Sequence, residues 1–184
     1  GRINFKFKNE KTAYSLTDAD FALWQDSDNQ WGMRMKAQPM RTNFSMSDTG
    51  ILKVNGTWQR AASLRDTPLE FSLLWDKAQL GQATKLVYGN DKGWRGGVRM
   101  GATLSGTPAD LRVTAEASVQ DFRRYDIPGG GSLKLAAQCR AHYSTADQTL
   151  SEIACSGPVS DGSVMLTGEV RGLLGLRTYD LQLR

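Results

Sequence analysis

Residues 133–155 read LKLAAQCRAHYSTADQTLSEIAC, and the fold follows from how this stretch is read. Leu133, Leu135, Ala137, Cys139, Ala141 and Tyr143 fall on one side of an extended chain, with Lys134, Gln138, Arg140 and His142 on the other. That period of two marks a half-buried strand. In the second half, Ile153 and Cys155 share a face. Between them, Ser144 to Gln148 is turn chemistry. Folding the chain about Asp147 sets Cys139 opposite Cys155. Directly opposed residues have Cβ atoms about 4.5–5.5 Å apart, against roughly 3.8 Å in a disulfide, so a small adjustment closes the bond. Closing such a loop is worth about 3 kcal/mol in the chain-entropy account. The alternative is a pair of buried thiols packed as small hydrophobes. A disulfide implies an oxidising compartment, such as a periplasm or the cell exterior.

Other chemistries for the same residues fit less well. A structural zinc takes four tetrahedral ligands, usually in close pairs. Here the thiols stand sixteen positions apart and His142 is the only histidine of the chain. A catalytic thiol needs an adjacent base. His142 lies three residues from Cys139, an odd offset that sends the two side chains to opposite faces of a strand. The expectation is therefore no metal and no cofactor.

The rest of the chain repeats the same alternation. RINFKFKN carries Ile3, Phe5 and Phe7; FALWQ carries Phe21 and Leu23; WGMRMKAQ carries Trp31, Met33, Met35 and Ala37. Leu52, Val54 and Trp58 follow, then Leu69, Phe71, Leu73 and Trp75, then Val98, Met100, Ala102 and Leu104. Leu111 to Val119 precede the cysteine hairpin, and Val164, Leu166 and Val170, then Tyr179, Leu181 and Leu183, follow it. Ten or eleven strands joined mostly by short polar turns predict an antiparallel meander. WDKAQLGQATKLVYGND interrupts the pattern: Leu80, Ala83, Thr84 and Val87 recur at helical spacing. Asp76 and Gln79 resemble a capping box and Gly89 a helix end, so one short amphipathic helix is expected over about Lys77 to Tyr88. GTWQRAASLRDTPLEFSLLW and GATLSGTPADLRVTAEASV echo each other, with Pro68 and Pro108 each expected to open a strand.

Composition narrows the class. Across 184 residues, hydrophobic types make up 40% and charged types 23%, which suits one domain with a core. No apolar run approaches the roughly 20 residues that cross a bilayer. The chain opens inside a strand-like pattern with no initiator Met, so a fragment or processed form is expected. The net charge of +4 is spread along the chain without a basic tract, which gives nucleic-acid binding little support. Asp18, Asp20, Asp121 and Asp126 are the nearest approach to carboxylate clusters. No base, nucleophile or phosphate loop accompanies them, so an enzyme is not expected. Five tryptophans leave a carbohydrate-binding sandwich as a rival. Trp31, Trp58 and Trp75 share faces with aliphatic residues, however, and Trp94 alone sits in a turn-like setting.

Several segments together resemble the AsmA/TamB-like family of bacterial envelope proteins. They are AQLGQATKLVYGNDKGWRGG (78–97), LTDADFALW (16–24), MKAQPMRTNFSMSDTG (35–50), GTPADL (106–111), SVQDFRRYDI (118–127) and the cysteine hairpin. The resemblance implies a periplasmic location within a longer chain anchored in the inner membrane. It also implies a long curved β-sheet whose apolar concave face conducts phospholipid, working beside neighbouring segments of that chain and envelope membrane proteins. The sequence shows no membrane helix, so the resemblance implies that it is an interior or C-terminal portion of such a chain. On alternation alone, a filled sandwich or barrel suits the same residues at least as well. The expectation is thus a single mainly-β unit over 1–184, a long curved antiparallel meander that is open or partly closed, with one short helix. Its candidate groove residues are Phe5, Met33, Met35, Leu73, Met100, Val113, Leu135 and Leu166.

Overall fold

Strand alternation continues without a break in topology from one end of the molecule to the other. The computed structural model describes residues 1–6, 12–42, 46–126, 132–159, 161–172 and 178–184. Its strands are β1 (Ile3–Lys6), β2 (Ala13–Ser27), β3 (Gln30–Arg41), β4 (Thr49–Gln59), β5 (Leu69–Gln79) and β6 (Trp94–Thr107). They continue as β7 (Asp110–Arg124), β8 (Leu133–Ser144), β9 (Thr149–Val159), β10 (Gly162–Arg171) and β11 (Thr178–Leu183). All eleven form one antiparallel sheet in sequence order, each paired only with its chain neighbours, and the sheet does not close. The expected meander is therefore the fold, in its open form. Phe7, which the sequence puts in the first strand, lies outside the described residues.

Register keeps the apolar positions together. Met35 pairs Val54, which pairs Leu73, then Ala102, Ala115, Cys139, Cys155, Leu166 and Leu183 in turn. That single row crosses nine strands with apolar or cysteine side chains throughout. A slip of one residue in any strand would send its apolar set to the other face, so the pattern specifies the register strongly. Two large residues fill gaps left by glycine: the Phe71 ring lies over Gly56, where a Cβ would fall 2.1 Å from it, and the Trp24 ring lies over Gly32, where a Cβ would fall 2.4 Å from it.

The helix departs from expectation in its start and its buried stripe. α1 spans Leu80–Tyr88, while Lys77 to Gln79 belong to β5. Gln79 is the N-cap and makes no side-chain cap, and Asp76 instead accepts from the Lys77 N–H at 2.8 Å. The strand wins these residues because Ala78 pairs with both Thr49 and Val98. Gly89 does end the helix in the left-handed conformation (φ 85°), its N–H donating to the Lys85 carbonyl at 2.9 Å. Ala83, Thr84 and Leu86 are buried, with Leu80 packed beside them, whereas Val87 is 57% exposed. The helix turns Leu86 rather than Val87 inward because it meets the sheet at one end of β5 and β6.

Register shifts interrupt the ladders, and four of the sites carry a non-glycine residue with positive φ. Asp18, Lys77, Asp121 and Glu152 have φ between 51° and 60° where the register shifts in β2, β5, β7 and β9. Such insertions increase local twist. At the third of these sites in chain order lies one of the aspartates that resembled a carboxylate cluster, and Asp18 is another; both serve backbone geometry. Gly50 (φ 82°) faces the Lys77 bulge so closely that a Cβ would stand 2.6 Å from the Asp76 carbonyl oxygen, so this position requires glycine.

The internal echo holds only in part. A 3-10 turn (Leu64–Asp66) lengthens the β4–β5 connection, and Pro68 precedes β5 by one residue. Pro108 sits in the two-residue β6–β7 turn, where its carbonyl accepts from the Thr145 N–H and hydroxyl at 3.1 and 2.7 Å. It anchors a neighbouring hairpin and does not open a strand.

Candidate functional site

Every groove candidate read from the sequence lies on one face of the sheet. Met35, Leu73 and Leu166 belong to the nine-strand row described above. Met33 is the next same-face residue of β3, and Met100 pairs Ala117, Val113 pairs Ala141 and Leu135 pairs Val119. Phe5 joins through Tyr14, whose ring it stacks on at 5.7 Å. Trp31, Trp58 and Phe71 continue the face as a stacked aromatic run with centroids 6.5 and 6.2 Å apart.

Two buried clusters punctuate this face. At one end, Ala78, Ala83 and Val98 bring α1 onto β5 and β6, with Trp75, Leu80 and Val119 around them. The Trp75 indole N–H donates to the Thr49 carbonyl at 2.7 Å, fastening β5 to the start of β4. Elsewhere, Ala141, Ile153 and Val170 form a small cluster beside Leu150 and Cys155. Between and beyond them, large apolar side chains meet solvent: Phe21 and Leu23 are 53% and 52% exposed, Met100 41% and Leu135 38%. Among the described residues no second sheet covers them. Single exposed hydrophobes are ordinary, but an array shared by β1, β2, β6, β8 and β11 is not.

The two cysteines are joined, as the hairpin reading expected, with Cα atoms 4.0 Å apart and Cys139 directly paired with Cys155. His142 lies on the opposite face of β8, its Nδ1 3.1 Å from Asp110 Oδ1 and its Nε2 3.9 Å from Glu152 Oε2. It links β7 and β9.

One feature of the site has no counterpart in the sequence reading. A trough of about 670 Å³ crosses β5 to β10. One wall carries Ser72, Thr103, Thr114 and Arg140, and the other Leu74, Glu116, Gln138 and Met165. By register these residues occupy the face opposite the apolar row, with Thr103 and Thr114 joined through their hydroxyls. Of the eight groove candidates, Leu73 alone borders this volume. The mixed residues on that face look like an ordinary solvated surface in sequence, and alternation does not record which face of a sheet encloses space.

At the α1–β6 turn, the Arg95 guanidinium and then the Gly93 N–H hold the Asp91 carboxyl below the ordinary carboxylate range. A lowered folded value stabilises above the unfolded value, and that contribution is lost as pH falls through the folded one. Both side chains are nearly half exposed, so the effect is small. Acidification through that lowered value is expected to speed amide exchange at Gly93 while leaving the sheet protected. Equal loss of protection in β6 and β7 would contradict it.

Comparison with family models, with curated proteins and with solved structures returns no match. No described helix is long and apolar enough to cross a membrane, which leaves strand-mediated crossing unaddressed.

Proposed function

We propose that this chain is a non-enzymatic lipid-handling module of the cell envelope, whose apolar sheet face receives hydrocarbon chains. The observation that carries the reading is the uncovered apolar face of an open sheet, running from Phe5 on β1 to Leu183 on β11. Eleven strands at about 4.8 Å spacing extend roughly 50 Å, longer than an acyl chain, which spans half of a roughly 30 Å hydrocarbon core. Methionines at 33, 35 and 100 suit a disordered ligand because their flexible thioether stems adapt to varied shapes. The disulfide fits an oxidising compartment, and the resemblance to AsmA/TamB-like proteins points to the periplasm and to phospholipid. In that setting the chain works as part of a protein anchored in the inner membrane, alongside neighbouring segments of the same chain.

The alternative, a carbohydrate-binding or structural sandwich of the envelope, loses ground on geometry. The Trp31, Trp58 and Phe71 rings stack on one another along the apolar row, and among the described residues no second sheet makes a sandwich.

Photo-crosslinking at positions 100 and 135 in cells tests the proposal. Lipid adducts at both positions are expected, and they should disappear in Met100→Glu and Leu135→Asp. Both sites are more than a third exposed, so each charge stays hydrated and should cost about 1 kcal/mol or less. Absent adducts, or variants that unfold, would leave a filled or partner-covered sheet in place of a lipid surface.

A further inference from the structure

A second cluster of exposed apolar side chains lies away from the sheet face, at the tip where α1 hands over to β6. Val87 is 57% exposed, Tyr88 64%, Trp94 38% and Tyr125 80%. Hairpin tips in a water-soluble domain are normally polar, so this concentration calls for an explanation. The residues are held together structurally. The Tyr125 N–H donates to the Gly93 carbonyl at 2.8 Å, joining the β7 end to the turn before β6. Trp94 sets its ring edge-on to Phe122 at 6.5 Å, and the Lys92 ammonium stands 5.5 Å over the Tyr88 ring.

Charge at the tip has a definite sign. Lys85, Lys92, Arg95, Arg123 and Arg124 outnumber three aspartates. Two of those acids are engaged, Asp91 with Arg95 at 2.9 Å and Asp126 with Arg124 at 2.6 Å. Arg41 adds a further cation from β3, its guanidinium lying where a side chain at Gly89 would stand.

We infer that this tip is a membrane-docking surface for an anionic phospholipid bilayer. Tyrosine and tryptophan favour the headgroup level, where a ring meets hydrocarbon and its polar end stays wet. Lysine and arginine bury their stems and keep their charges among the phosphates. The tip combines both on two backbone-linked segments, while α1 and the Ala78 cluster fix its position relative to the sheet. A protein partner would need a broader complementary surface than four side chains and their rim supply. The inference does not rest on the lipid-handling reading, because it concerns a different set of residues.

Flotation with vesicles tests it. The chain is expected to float with phosphatidylcholine vesicles containing phosphatidylglycerol, and poorly with phosphatidylcholine alone. Each cation near an anionic surface should contribute about fivefold in affinity at low salt. The pair Tyr88→Ser and Tyr125→Ser should abolish flotation, and Lys92→Gln with Arg123→Gln should weaken it more than tenfold, with unchanged melting temperature. Crosslinking at positions 100 and 135 should persist in both variants. No flotation of the parent chain, or flotation that survives the tyrosine pair, would overturn the inference. So would flotation lost on Met100→Glu with the tip intact, which would place the bilayer contact on the sheet face.

Discussion

Replacing Ala78 by aspartate is expected to unfold the end of the sheet that carries α1, with a loss of several kcal/mol. Ala78 is fully buried, packed against Ala83 and Val98 and faced by Thr49, itself fully buried. Its Cβ stands 2.8 Å from where a side chain at Gly50 would begin, so no space exists for two further carboxylate oxygens. The charge would lose its hydration without a partner, and the added volume would push β4, β5 and α1 apart. Domains of this kind have about 5–15 kcal/mol in hand, so one such site consumes much of the margin. Urea denaturation should show a lower midpoint, with Ala78→Ser intermediate. The contrast with Met100→Glu is the informative part, since both place a carboxylate on the same face of the same two strands. Similar midpoints for the two variants would contradict the distinction between a packed end and an open surface.

Removing the Cys139–Cys155 bond is the second large effect. The bond joins directly paired residues of β8 and β9 across a sequence separation of 16. Cutting it releases about 3 kcal/mol of constraint on the unfolded chain, equivalent to about 6–12 °C in melting temperature for a chain of this size. The fold should survive, because Ala141, Ile153 and Val170 still pack β8, β9 and β10 together. A Cys139→Ala/Cys155→Ala pair compared with the oxidised parent by thermal melting measures it. Equal melting temperatures would mean that the hairpin is already held in the unfolded ensemble. Two titratable thiols in the unreduced, denatured parent would remove the bond altogether.

These effects differ in how far they are visible in sequence. The disulfide is legible because alternation on both sides of a polar turn and a count from Asp147 set the cysteines opposite each other; the hairpin itself turns between Ser144 and Thr149, and the bulge at Glu152 brings Cys155 back opposite Cys139. The helix is legible only in outline. Its periodicity and Gly89 are local facts, but Lys77 to Gln79 go to β5 because distant Thr49 and Val98 supply ladder partners. Val87 fails as an inward residue for the same kind of reason, since the angle at which α1 meets β6 decides which side is covered. In the sequence the tip shows only as the turn-like setting of Trp94. Tyr88 and Tyr125 lie 37 positions apart, and the Tyr125–Gly93 hydrogen bond that joins their segments is a tertiary fact.

By itself the sequence determined the strands, their order and the face that the alternating apolar side chains of the strands take. Those depend on side-chain alternation and on short turns, which are properties of neighbouring residues. Only the tertiary structure decided that the sheet stays open, that α1 covers one end alone, and that the trough lies behind the apolar row. Those outcomes depend on accumulated twist, on bulges at Asp18, Lys77, Asp121 and Glu152, and on whether β1 meets β11. Twist adds up over eleven strands, and no local window of residues contains that sum.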